Sequence, residues 1–218
     1  MRTFSSVLIL LGATWGANAG ECPLAAHAGE PTLLYIEGVS GKSSHYSFRR
    51  CVLHEGDRRE VRTLTPSGGY RDLSVSQGRS TIDTTYDRPD EREVREYTKD
   101  ILDLDRMRPG DMQTIGVRTF RKTSTHDWSY TTRALAERQA RLGSCVTPVV
   151  DLEHVIQTAG WTQTVRASFA PSVGYVVELE QGPLTRGARI EDAYRDRWRV
   201  VRIGDRAEAR RLCDDRTS

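Results

Sequence analysis

Val150-Asp151-Leu152-Glu153-His154-Val155-Ile156-Gln157, followed by Thr158-Ala159-Gly160, is the stretch whose reading decides the fold. On an extended chain Val150, Leu152, His154 and Ile156 share one side, while Asp151, Glu153 and Gln157 take the other. Thr158-Ala159-Gly160 then turns the chain, and Val165, Ala167 and Phe169 alternate along the next segment. A second turn, Ala170-Pro171-Ser172-Val173-Gly174, leads into Tyr175, Val177 and Leu179. Three runs of period two with Gly and Pro between them make an antiparallel meander, dry on one side. A slip of one residue would put the apolar set in water, so the register is firmly specified.

The same pattern extends towards the N-terminus. Leu33 to Glu37 and His45 to Leu53 are short segments, and in the second Tyr46, Phe48, Arg50 and Val52 alternate with His45, Ser47, Arg49 and Cys51. His54-Glu55-Gly56-Asp57 and Pro66-Ser67-Gly68-Gly69 punctuate that region as turns. One main helix is expected from Glu91 to Asp105: Asp90 and Glu93 have capping-box spacing, and Val94, Tyr97, Ile101 and Leu104 fall on one stripe. Residues 83–105 carry nine acids against four bases, read as a solvated helix face rather than a cation site. Arg133 to Leu142 admits two readings. Ala134-Leu135-Ala136-Glu137-Arg138 favours helix with Gly143 as its C-terminal stop, whereas Trp128, Tyr130, Thr132 and Ala134 alternate as a strand does.

Residues 1–19 read as a secretory leader: Arg2, the apolar run Val7 to Leu11, then small Ala17 and Ala19 before the cut. Removal leaves 20–218 as one exported domain, with no further apolar run long enough to span a bilayer as a helix. Glu21 before Cys22 departs from the small residue that lipid attachment resembles. With 29 of the 32 basic residues arginine, the chain has the bias of a GC-rich bacterial genome, and together with the leader this points to a soluble periplasmic protein. A formal charge of +2 over 218 residues gives no field to drive nucleic-acid binding. The four cysteines, Cys22, Cys51, Cys145 and Cys213, suit two disulfides in an oxidising compartment. The expected pairing is Cys51–Cys145 between core elements and Cys22–Cys213 between the termini.

Chemistry-bearing motifs are sparse. Gly38-Val39-Ser40-Gly41-Lys42-Ser43 has two residues where a phosphate loop needs four, so it reads as a turn. His27, His45, His54, His126 and His154 form neither HExxH nor a helical i, i+4 pair, so no metal or other cofactor is expected. His154 reads as a hydrogen-bonded core histidine. Arg195, Arg197 and Arg199 share one face of a possible strand that suits an anionic headgroup or glycan, or else is simply a solvated surface. Trp128, Tyr130, Trp161, Phe169 and Tyr175 are the candidate ligand-binding residues, since ligand pockets are largely apolar. No catalytic residue is assigned.

Leu142-Gly143-Ser144-Cys145, Val149 to Glu153 and Phe169 to Val177 resemble uncharacterised exported proteobacterial sheet domains with an aromatic-x-Pro-x-x-Gly hairpin before their last strands. Those in outline are similar to the lipoprotein carriers LolA and LolB, over about residues 110–181. The resemblance implies a mainly β chain, a curved antiparallel sheet or half-barrel with helices on its concave side, and a strand at 133–142. It also implies an apolar cavity. The expected function is therefore that of a non-enzymatic periplasmic envelope protein holding an amphipathic ligand, a lipid or acyl chain, on a curved sheet. Partners would be lipid or another envelope protein. The alternatives are a secreted hydrolase using His45, His54 or His126 with a carboxylate, and a structural or protein-binding module.

Overall fold

The computed structural model describes residues 20–22, 29–41, 44–66, 69–85, 91–191 and 196–213; the proposed leader lies outside them. The strands are β1 (Gly20–Glu21), β2 (Thr32–Ser40), β3 (Ser44–Glu55), β4 (Arg58–Leu64), β5 (Tyr70–Gln77), β6 (Ser80–Thr85) and β7 (Arg92–Tyr97). They continue as β8 (Met112–Arg121), β9 (Ser124–Leu142), β10 (Cys145–Gln157), β11 (Thr162–Ala170), β12 (Tyr175–Arg186), β13 (Arg189–Glu191) and β14 (Asp196–Ile203). A 3₁₀ turn spans Ile101–Arg106, and a single α-helix among the described residues, α1, spans Arg206–Cys213.

Strands β2 to β12 pair with their neighbours in chain order, and β14 fits between β12 and β2, so the sheet closes into a twelve-stranded antiparallel barrel. The expected half-barrel is thus corrected to a full one. Closure removes the edges that an open sheet would leave unpaired. Its thinnest point is the junction of β12 with β14, where only Glu178↔Arg199, Leu179↔Trp198 and Glu180↔Arg197 pair. Strand β1 adds in parallel beside Cys145 and Val146, and β13 covers the end of β12.

The β10–β11–β12 meander forms, with Val150 opposite Phe169 and Leu152 opposite Ala167, but β11 and β12 pair through register shifts at Gln163/Val165 and Ser168/Phe169. Pro171 to Gly174 makes the second turn: Val173 and Gly174 N–H groups donate to the Ala170 carbonyl at 3.0 and 2.9 Å. Gly174 has φ +65°, and a Cβ there would lie 2.3 Å from His54 Nε2, so both conformation and space demand glycine. Residues 133–142 are strand, part of the 19-residue β9. Pairing with both β8 and β10 supplies partners along β9 that a helix would forgo, which outweighs the alanine-rich helix propensity.

Three other expectations are corrected. The helix at Glu91–Asp105 is instead β7 followed by the 3₁₀ turn. Val94 and Tyr97, three residues apart, share a face only in a helix and take opposite faces in β7, but registered pairing with β6 and β8 captures the segment as strand. Asp90 lies outside the described residues. The acids of this region are spent on arginines, with Arg95 near Asp83 at 3.2 Å, Glu93 bonded to Arg95 and Arg121, and Asp105 3.6 Å from Arg59. The disulfides are Cys22–Cys145 and Cys51–Cys213, not the expected pairs. Cys51 sits on the outward face of β3, under α1 and away from the β9–β10 tip, whereas β1 carries Cys22 directly alongside Cys145. Finally, the helix packs on the outside of the sheet, against Leu33, Cys51 and Leu64, rather than on a concave side. That placement explains the consecutive Leu33 and Leu34, each 0% exposed: one lies under α1 and the other in the barrel core. Asp205 caps α1 by accepting the Glu208 N–H at 2.8 Å. Gly38 to Ser40 belong to β2 and β3 begins at Ser44, so strands flank Gly41, whereas a phosphate loop leads into a helix; Lys42 and Ser43 lie outside the described residues.

Candidate functional site

Alternation and register divide the barrel wall into an inward and an outward set. Across β14, β2 and β3 the inward set reads Trp198↔Gly38↔Tyr46, then Val200↔Ile36↔Phe48, with Leu34↔Arg50 next. Tyr175 and Leu179 reach the same space from β12, the latter opposite Trp198. Tyr46 and Phe48 stack with centroids 5.7 Å apart, and Tyr46 lies so close over Gly38 that a Cβ there would meet its ring at 2.4 Å. Beyond them the Arg50 guanidinium lies 4.8 Å from the Phe48 ring, 5.6 Å from Trp198 and 5.9 Å from Tyr175. It donates to the Tyr175 hydroxyl at 2.7 Å. These residues form an aromatic shelf on the inner wall. Tyr46, Phe48, Arg50 and Tyr175 all stay partly exposed although the sheet around them is closed.

The outer face at the same junction is a groove of about 760 Å³, within the range of small-molecule sites. Its floor is a cross-strand charge ladder. Asp151, Ser168, Glu178, Arg199 and Glu37 follow one another in register from β10 to β2, and Glu153, Arg166, Glu180 and Arg197 make the adjacent row. Arg138 ties the first row together, bonding Asp151 at 2.9 Å, Ser168 at 2.9 Å and Glu178 at 2.5 Å. Leu135, the extra residue at the β9 bulge, stands 44% exposed at the rim. Arg197 and Arg199 do share an outward, exposed face, as expected; Arg195 lies outside the described residues. With Arg118, Asp127, Arg138, Arg166 and Arg199 on outward positions, the strands from β8 to β14 present a charged exterior rather than a lipid-facing apolar band.

The five aromatic candidates are distributed over several places. Trp128 and Tyr130 stack on the inward face of β9 at 5.8 Å, and Tyr130 meets His154 edge-on at 6.0 Å. Trp128 Nε1 donates to Thr119 Oγ1 at 2.8 Å. Phe169 is buried with Met107, Ala134, Val150 and Leu152 under the 3₁₀ segment. Tyr175 belongs to the shelf, and Trp161 sits in the turn between β10 and β11, its carbonyl accepting the Thr158 N–H at 2.9 Å. Arg50, Phe48 and Trp198 complete the shelf. The sequence signal for it is an arginine standing on the otherwise dry Tyr46/Phe48/Val52 face.

Among the described residues His45, His54, His126 and His154 do not come together with carboxylates into a hydrolytic site. His154 Nδ1 shares a hydrogen bond of 2.7 Å with Thr132 Oγ1, and burial pushes its pKa down to about 4. His54 packs against Gly174, with burial and then the Arg59 charge lowering its pKa. His126 contacts Ser124 Oγ at 3.1 Å on the surface, and His45 lines the outer groove. None of these four has a carboxylate hydrogen-bond partner among the described residues; His27 lies outside them. Burial raises the pKa of Asp105 despite Arg59 beside it, and burial followed by Tyr97 raises that of Tyr130. No group of three or more potential metal ligands occurs among the described residues.

Fold and site together define a closed, twelve-stranded meander barrel with an aromatic inner wall and a charged outer groove meeting at one thin junction. The chain is similar to two solved structures. One, from Bacteroides fragilis, is described as an exported protein with a YmcC-like fold and is 11% identical, with a TM-score of 0.47 over 84% of this chain and 100% of that one. The other, the hypothetical lipoprotein YmcC from Escherichia coli, is also 11% identical, with a TM-score of 0.40 over 82% of this chain and 88% of that one. No family model matches the sequence, and no curated protein matches it. The LolA/LolB outline is not borne out: the sheet closes on itself and α1 lies outside it.

Proposed function

We propose that this chain is an exported, non-enzymatic envelope protein that holds an amphipathic ligand, a lipid or acyl chain, at the β12–β14 junction. The observation carrying this reading is the inner shelf of Tyr46, Phe48, Tyr175 and Trp198. Three of its four rings remain partly exposed in a closed barrel, although burying them completely would be favourable by roughly 25 cal/mol per Å². Aromatic surface left open inside a protein is surface available to an apolar ligand. The charged groove on the other side of the same strands supplies polar partners at the junction. The leader-like N-terminus supports export to the periplasm.

Gentle purification from the host envelope followed by native mass spectrometry is expected to show bound lipid mass, or uptake of a fluorescent fatty acid by the stripped protein at micromolar concentration. Absence of both would remove this reading.

A further inference from the structure

Among the described residues Arg50 opposite Thr63, Arg59 opposite Ser76 and Arg95 opposite Thr81 place guanidinium groups at inward wall positions. Two of them have carboxylates. Arg59 lies 3.6 Å from Asp105, and Arg95 lies 3.2 Å from Asp83 and 2.5 Å from Glu93. Arg50 has none. Its partners are all neutral: the Tyr175 hydroxyl at 2.7 Å, Thr63 Oγ1 at 3.3 Å and the faces of three rings. Ring faces and hydroxyls solvate a cation in part but leave its charge uncompensated, and a partly buried charge without a counter-ion is costly. The fork of a guanidinium is also the shape that binds a carboxylate through two parallel N–H donors.

We propose that Arg50 recognises the headgroup of an anionic amphiphile, a carboxylate in the simplest case, whose chain runs outward along Phe48 and Tyr46. The proposal rests on the ligand-binding reading above and narrows it to one charge type. Residues Tyr46, Phe48 and Arg50 follow one another at every second position of β3, so the shelf leads in a line to the cation. Tyr46 is fixed at its outer end by donating its hydroxyl proton to Asp196 Oδ1. The Tyr175 hydroxyl holds the guanidinium from the far side, which keeps it oriented before a ligand arrives.

The test is a titration with decanoate, decanol and acetate, read by intrinsic tryptophan fluorescence and calorimetry, on the wild type, Arg50→Met and Arg50→Lys. Circular dichroism checks that each variant keeps its β spectrum. Wild type is expected to bind decanoate at least tenfold more tightly than decanol. Arg50→Met, which keeps the apolar stem, brings the two within about twofold by weakening decanoate alone, and Arg50→Lys retains part of the preference. Acetate at equal concentration does not displace decanoate. Equal binding of decanoate and decanol by the wild type would overturn the role of Arg50 and leave the amphiphile reading intact, as would a preference unchanged in Arg50→Met. Displacement by acetate would instead mark a free-anion site. If neither ten-carbon probe binds, the ligand-binding reading itself fails, and this proposal with it.

Discussion

Replacing Cys51 and Cys213 together by alanine is expected to lower stability by about 4 kcal/mol, near 10 °C in the melting temperature of a domain this size. The bond links residues 162 apart, so its loss returns a large loop entropy to the unfolded chain. It is also the covalent anchor of α1, whose eight residues are too few to hold a helix in water unaided. Without it, Leu33 and Leu64 on the outer face of the sheet lose their cover when the helix lifts. Replacing Cys22 and Cys145, 123 residues apart, releases a comparable loop constraint and the segment around β1 but leaves α1 docked, so resistance of the C-terminus to proteolysis distinguishes the two. Scanning calorimetry of the two double variants, with limited proteolysis at the C-terminus, separates the cases. Early cleavage near Arg210 and Arg211 is expected only in the Cys51/Cys213 variant. Equal melting temperatures for that variant and the wild type would contradict the account of how the helix is held.

The second large effect is a loss of stability in mild acid, in which His154 leads and His54, its pKa also lowered by burial, acts in the same sense. Burial depresses the pKa of His154 from 6.5 to about 4 in the folded protein, so the native state keeps the ring neutral. Above pH 6.5 both states are neutral and the residue imposes no penalty. Between pH 6.5 and 4 the unfolded chain takes up a proton that the folded chain refuses, and stability falls with pH by a total of about 3 kcal/mol. Asp105 acts in the opposite sense, because a carboxyl whose folded pKa is raised favours the native state as it protonates. The difference between wild type and His154→Asn isolates the histidine, since the amide keeps a partner for Thr132 Oγ1 and does not titrate. Urea denaturation at pH 7, 5.5 and 4 is expected to show the two proteins converging as pH falls. Parallel curves would mean that His154 titrates normally.

The meander from β10 to β12 was legible as three antiparallel strands, because alternation, a Pro–Gly turn and a Thr-Ala-Gly turn agreed along consecutive residues; the register shifts between β11 and β12 were not. The long-range features were not. Val94, Tyr97, Ile101 and Leu104 satisfy a helical stripe, and only the partners from β6 and β8, distant in sequence, decide for strand. The 19 residues of β9 posed the same conflict, settled by pairing on both sides. Helix α1 lay in a stretch notable mainly for arginine, and its helical face becomes meaningful only once Cys51 and Leu33 are known to point outward. Closure depends on β14 finding both β12 and β2, which no local pattern records. The disulfide pairing depends on that closure. For the site, five aromatic residues were recognised by type, but only Tyr175 joins the shelf with Phe48, Arg50 and Trp198. Which aromatics meet is a property of register across strands rather than of any one strand.

The shelf and the groove both draw residues from either side of the β12–β14 junction, so both depend on the three residue pairs that close the barrel. Amide hydrogen exchange in the oxidised, processed protein reads that junction directly. Protection at Glu178–Glu180 and Arg197–Arg199 comparable to that of Leu152 and Ala167 is the expected result. Exchange there as fast as at the exposed turn of Gly187, with the rest of the sheet protected, would show an open sheet and contradict it.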